Sequence, residues 1–422
     1  MLILAMRNCP SLAIVATIAF TLMAPPVFAQ HASGRRAGHP AKTRPLVDLS
    51  QPNESTDMFR DVTSTLNAWY DQYNSSKTRI QNDYNIQYSM PVSTYGQWGM
   101  PNGGPSVAEL VYSPSITWNP FTNTSIGSGS ITFAVQGNQF WSSANTNSQQ
   151  AAMGLLAAPN DWGLDSFQFA QLTYTHTFPG KVLAASIGQY SIGQFDGNQY
   201  AGNPQTNFIS YPLAQNGTQT YANAGLGTYL QITPNNEFAF AGGFQDGADI
   251  NGNTINAAGF VTGKYGYFLN GQWTPPILAG GTYSLLFYQQ QAVPLQPSSS
   301  AGFSFSAAQM VTKAWGVFLR VNNASGQAIS ISTSVAGGAV RNAPFGRNQL
   351  DQLGLGIAWD RTNQQVTGTP SRPAEWVGES YYNFTIFKAL QVGPDIQVYV
   401  SPALAPSTNV AAVFSLRATF SF

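Results

Sequence analysis

Apolar and polar side chains alternate with a period of two along most of this chain. The clearest run is the last one, where Phe414, Leu416, Ala418, Phe420 and Phe422 share one face and Ser415, Arg417, Thr419 and Ser421 the other. Equivalent alternations occur at Tyr382, Phe384 and Ile386, at Ile396, Val398 and Val400, and at Leu353, Leu355, Ile357 and Trp359. Upstream, Trp315, Val317, Leu319 and Val321 repeat it, as do Ile131, Phe133 and Val135. A period of two marks strands with one oily and one watery face. Turn-forming Pro, Gly and Asn punctuate the pattern about every 8 to 14 residues, which predicts a succession of antiparallel strands.

One segment breaks the rule. Ser55, Thr56 and Asp57 offer N-cap oxygens, and Met58, Val62, Leu66, Trp69 and Tyr73 then recur at helical spacing. This predicts a single short amphipathic helix over 54–80, with an apolar stripe from Met58 to Tyr73 of about five turns. Its apolar stripe suits docking at one end of the strand region or entry into its interior.

Composition decides what the strands face. Charged residues make up 9% of the 422 residues and aromatics 13%, whereas an ordinary soluble domain carries about 25% charged residues. Beyond the N-terminus no stretch approaches the roughly 20 consecutive apolar residues of a membrane helix. A chain that faces lipid without membrane helices must close its strands on themselves, because every backbone N–H and C=O needs an internal partner there. The fold class expected is all-β: a transmembrane, antiparallel, up-and-down β-barrel over 81–422. At about 20 residues per strand and connection this region yields about 16 to 18 strands, with 16 the preferred number. Side chains alone do not fill a barrel of that size, so an aqueous lumen is expected.

The N-terminus fits export. Arg7, the apolar run Leu12–Met23 and the exit Pro25-Pro26-Val27-Phe28-Ala29 read as a signal peptide over 1–29, cleaved between Ala29 and Gln30. Cys9, the sole cysteine, lies inside that segment, so no disulfide or thiolate metal site is expected. Residues 30–53 are Pro-rich and polar, with Arg35, Arg36, Lys42 and Arg44, and read as a flexible periplasmic tail. The resulting location is the outer membrane of a Gram-negative cell.

Several segments resemble the carbohydrate-selective porins of the OprB family. They are Gly378-Glu379-Ser380-Tyr381-Tyr382-Asn383-Phe384, then Leu390-Gln391-Val392-Gly393-Pro394-Asp395-Ile396-Gln397-Val398-Tyr399, and the terminal strand Phe414–Phe422. Asp351-Gln352-Leu353-Gly354-Leu355-Gly356-Ile357-Ala358 is similar to that family's Asp-Gln-Leu-Gly-Leu strand, and 266–283 also matches. The family's usual Gly-Asp-Trp-Gly-Gly opening is missing. The resemblance implies a 16-stranded, passive channel for sugars. Neutral amides and aromatic faces suit hydroxyl-rich solutes independently of that likeness. A general or anion-preferring porin is the alternative of the same class. An outer-membrane hydrolase and a non-transporting barrel plugged by the N-terminal helix are the alternatives of other classes. The partners expected are membrane lipid and small sugars or other hydrophilic solutes, with no nucleic acid and no cofactor or metal. Monomer and homotrimer are both compatible with the sequence.

Candidate pore-lining residues follow from strand parity. Arg320 and Arg417 oppose apolar neighbours and are expected to face the lumen; Glu379 and Asp395 are added as candidates near strand ends. Between Tyr84 and Thr312 only Lys181 and Lys264 oppose Glu109, Asp161, Asp165, Asp196, Glu237, Asp246 and Asp249, whereas basic residues outnumber acidic ones from Lys313 onward. That asymmetry predicts a basic wall facing an acidic one. Other motifs carry less. Gly354-Leu355-Gly356 lies inside an alternating strand rather than before a helix. Asp246, Asp249, Asn251 and Asn253 lack the glycine position and closing glutamate of a calcium loop. Glu375 and Glu379 follow Pro370 and Pro373, which predicts an extended loop without a defined carboxylate spacing. His176, beside Phe178-Pro179-Gly180, is placed at an interfacial rim rather than in a catalytic triad. Connections rich in Asn, Gly and Ser are expected to face outward.

Overall fold

The computed structural model describes residues 54–422 apart from 101–103, 279, 327 and 369–370. The expected signal peptide and tail lie outside the described residues. Residues up to Leu66 form one unit, of which the described part is the start of a helix, and Asn67–Phe422 form the second.

The second unit is a closed antiparallel barrel of sixteen strands. Strand β1 comprises Ile86–Ser89 and Pro91–Met100, and β2 comprises Val107–Tyr112 and Ser115–Thr124. Each is one strand with a local break, since both halves keep a single register: Ile86 opposes Trp118, and Val92 opposes Tyr112. Met90 and Pro114 sit at the breaks, and Pro114 has no N–H to give the ladder. There follow β3 (Gly127–Phe140), β4 (Ser166–Thr177), β5 (Leu183–Tyr190), β6 (Gly225–Ile232), β7 (Phe238–Asp246) and β8 (Tyr265–Trp273). Next come β9 (Gly281–Gln290), β10 (Ser300–Met310), β11 (Trp315–Ser325) and β12 (Ile331–Asn342). The last four are β13 (Gln352–Thr362), β14 (Ala374–Phe387), β15 (Leu390–Val400) and β16 (Val410–Ser421). Every strand pairs with its sequence neighbour, and β16 returns to β1 through Leu416 opposite Gly96, leaving no edge.

The two-residue alternation holds in three dimensions. Leu355 and Ile357 are exposed to the lipid side, whereas Gly354, Ala358 and Asp360 of the same strand are buried inside. Likewise Val317 and Leu319 face out while Phe318, Arg320 and Asn322 face in. Connections at the end carrying Phe422 are short, such as 125–126 and 388–389. Those at the opposite, loop end include the long segments 141–165 and 191–224. Aromatics ring the short-turn end: Phe238 stacks on Trp273 at 6.2 Å, and Trp273 meets Tyr283 at 5.4 Å. His176 belongs to this rim, bonded to the Tyr174 hydroxyl and the Ile126 carbonyl and packed edge-on to Phe178.

The helix, α1, runs Glu54–Tyr84, four residues beyond the expected 54–80. From Ser75 onward it is largely polar and lacks an apolar stripe, so spacing alone does not mark its end. Within the second unit its residues dock at the short-turn end: Tyr73 meets Tyr88 and Phe422 edge-on, and Lys388 binds Asp71 at 2.7 Å. It is the two long connections, not these residues, that enter the lumen.

Candidate functional site

The interior is built on small side chains. Ala336 and Gly338 of β12 and Gly356 and Ala358 of β13 all point inward and leave the wall low. Onto this shelf packs α3 (Tyr211–Ala214), a single turn within 191–224. The fit is close: a methyl group added at Gly356 would lie 2.9 Å from both Phe208 and Leu213. Phe208, Ile209 and Leu213 are fully buried, as are Leu155 and Ala157 from the other long connection. That other segment, 141–165, starts with α2 (Thr146–Met153), whose N-terminus is closed by reciprocal Asn145 and Ser148 bonds. Gly154, with φ 64°, ends it and turns the chain inward.

Carboxylates on the wall hold both segments. Glu375 accepts the backbone N–H groups of Leu156 at 2.8 Å and Ala157 at 2.9 Å, and of Ala403 at 2.9 Å. Glu379, two strand repeats further along, accepts those of Ile209 at 2.5 Å and Ser210 at 3.0 Å. On β16, two strands along the wall, Arg417 donates to the carbonyls of Pro204 and Asn207 and to the Asn383 amide oxygen. Thr419 donates to the Gln205 carbonyl, and Tyr95 to that of Pro204. Asn160 donates to Gln97 at 2.8 Å and to Glu109. Bonds to an ionised partner contribute roughly 1.5–3 kcal/mol each, and burying a Phe or Leu contributes about as much. The inserted segments are therefore fixed parts of the barrel rather than loose covers.

They displace the open space to one side. Two adjoining cavities, of about 360 and 330 Å³, lie between 191–224 and the wall of β2–β4. Both are lined by Gln136, Asp161, Trp162, Gln215, Gln219, Tyr221 and Asn223. One reaches toward the loop end at Ile250, Asn251 and Leu295; the other reaches Asp196, Asn203 and Arg320. The only charged residues on either surface are Asp161, Asp196 and Arg320. Asp161 is half-buried, and burial pushes its carboxyl up to about 6, a rise that the hydrogen bond from Gln215 only partly offsets. The lining is rich in amides and carries the rings of Trp162, Tyr211 and Tyr221, groups suited to bonding and covering hydroxyl-rich solutes.

Comparison with known proteins gives this geometry its context. A family model described as carbohydrate-selective porin, OprB family, matches residues 132–422. The chain belongs to the OprB family of porins. It is 32% identical over 398 residues to "Porin AaxA" of Chlamydia pneumoniae, covering 91% of this chain and 90% of that one. The Chlamydia felis protein of the same name is 32% identical over 352 residues, covering 81% and 79%. A solved structure of Pseudomonas putida OprB superposes with a TM-score of 0.69 at 14% identity, covering 83% of this chain and 97% of that one. The protein is thus an outer-membrane porin, and its family and fold point to a channel.

In this OprB-family barrel the two parity-derived arginines and the two carboxylates expected near strand ends all point inward, but to different surroundings. Arg320, 1% exposed, borders the inner cavity. Arg417, Glu379 and Asp395, at 2%, 4% and 2%, lie beneath the inserted segment and line neither cavity. Glu379 and Asp395 sit well inside β14 and β15, not at strand ends, with Asp395 opposite Tyr381. Glu375 likewise lies in a strand rather than an extended loop, because β14 begins directly after Pro373. The expected division into a basic and an acidic wall is not the arrangement found. Asp360, Glu375, Glu379 and Asp395 face inward from the same half as Arg320 and Arg417, since a count of charges takes no account of which face each occupies. The cavities were not legible in the sequence because much of their lining comes from 141–165 and 191–224, connections with no period of their own. Their length was the available signal, since long connections in a compact fold are most often functional.

Proposed function

We propose that the off-centre passage past Asp161, Trp162 and Tyr221 is the route by which this porin lets small carbohydrates diffuse across the outer membrane. One observation carries the reading: a lining dominated by neutral amides, with the aromatic side chains of Trp162, Tyr211 and Tyr221, in the two adjoining cavities beside 191–224. Amides exchange hydrogen bonds with hydroxyls, and rings cover the C–H faces of a pyranose. The inserted segments give the route its width, so that selection is by size and hydroxyl pattern. Export through the 1–29 signal peptide, with the short-turn end facing the periplasm, belongs to the same reading.

Swelling of proteoliposomes in isosmotic sugars tests it. Glucose and maltose are expected to enter faster than polyols of equal size in control vesicles, and Trp162→Ala is expected to slow them selectively. Swelling that depends on solute size alone, unchanged by Trp162→Ala, would remove the assignment while leaving a general porin.

A further inference from the structure

Arg320 stands out among the charges that border the passage. Strand parity drives it inward between Phe318 and Asn322, and it is almost fully buried. Nη2 donates to the Asp196 backbone carbonyl at 3.2 Å, whereas Nε and Nη1 have no hydrogen-bond partner. The carboxylate of Asp196 does not pair with it. Its oxygens are taken by the Ser304 hydroxyl, by the Asn216 amide at 2.8 Å and by the Tyr221 hydroxyl at 2.9 Å. Neither ion pair among the described residues involves Arg320, and no other cationic side chain borders these cavities. A buried guanidinium left with unused donors is costly, and the cost falls when an anionic group completes its bonding.

We propose that the inner end of the passage is a carboxylate-recognition subsite built on Arg320, which extends the solute class from neutral sugars to sugar acids such as aldonates and uronates. The proposal rests on the passage being the solute route. It also assigns an orientation. Asp161, bordering both cavities, accepts hydrogen bonds from hydroxyls of the polyol part of the solute; Trp162 and Tyr221 lie alongside it; the acid end points to Arg320. Guanidinium suits the inner position because its charge is permanent and its N–H groups diverge in a plane that matches a carboxylate.

Block of potassium chloride current through the full-length porin in planar bilayers tests this with two probes of nearly equal size, gluconate and glucose. Wild-type channels are expected to be blocked by gluconate at several-fold lower concentration than by glucose. Arg320→Gln should abolish that difference and leave glucose block in place, and Arg320→Lys should keep most of it. Equal block in the wild type overturns the subsite, as does a gluconate advantage that survives Arg320→Gln. Should Arg320→Gln fail to assemble, the wild-type ratio decides alone. Glucose block without a gluconate advantage sinks only the subsite, whereas current unaffected by either solute sinks the sugar-route reading as well.

Discussion

The Glu379 carboxylate and the backbone N–H of Ile209 meet at 2.5 Å across 170 positions of sequence. Together with the Ser210 bond, this clamp fixes the segment that narrows the lumen. Its two charge-assisted bonds contribute roughly 1.5–3 kcal/mol each, and the buried Phe208, Ile209 and Leu213 contribute about 1.5–3 kcal/mol apiece. Because the two contributions are similar, Glu379→Gln should loosen the segment without expelling it. Single-channel records are expected to show a larger mean conductance and more open-state noise. A quiet trace of wild-type conductance would mean that apolar packing alone sets the width.

Glu375 makes a separable prediction. It ties down 141–165 and the 401–409 turn through three backbone N–H groups. Replacing it with Ala leaves those donors buried and unpaired, at about 1–3 kcal/mol each. Glu375→Ala should open the 154–157 region to protease added to assembled barrels, while Glu379→Gln should not. Identical cleavage in both variants would show that the two segments move as one.

A pH dependence follows from Asp161. Burial disfavours its charged form and holds the carboxyl near 6, so the group carries a negative charge above that pH and none below. As pH falls from 7 to 5 the passage loses that charge, and the potassium-to-chloride permeability ratio should fall with a midpoint about pH 6. Asp161→Asn should show the low-pH ratio throughout. Reversal potentials across a salt gradient read this directly; a midpoint that persists in Asp161→Asn would assign the titration elsewhere.

How much of this was legible beforehand depends on what each residue's role requires. The outward face of β16, from Phe414 to Phe420, needs only hydrocarbon beside it, and alternation along one strand reveals that. The inward placement of Arg320 and Arg417 follows from the same parity. What Arg417 binds does not, because the carbonyls of Pro204 and Asn207 come from a connection with no period of its own. Gly354 and Gly356 read as a strand glycine pair. Their purpose lies off the strand: Gly354 makes room for Tyr381, its partner on β14, and Gly356 for Phe208 and Leu213 of the inserted segment. Low side chains repeated on the inner face of neighbouring strands are a readable sign of an inserted segment, but only after the strands are paired.

At the short-turn end, two contacts of α1 differ in weight. Asp71 and Lys388 are both about half exposed, and such a pair contributes about 0–1 kcal/mol. Tyr73 meets Tyr88 at 6.4 Å and Phe422 at 6.2 Å, both edge-on, and stacks on Trp69 at 6.0 Å. Aromatic pairs of this kind contribute about 0.5–1.5 kcal/mol each beyond the area they bury. Docking of the helix should therefore depend on the ring and not on the charge. Hydrogen exchange of amides 67–84 in detergent-solubilised protein is expected to accelerate several-fold in Tyr73→Ala and hardly at all in Asp71→Asn. The reverse order would mean that electrostatics, strengthened by a low-dielectric interface, holds the helix to the barrel.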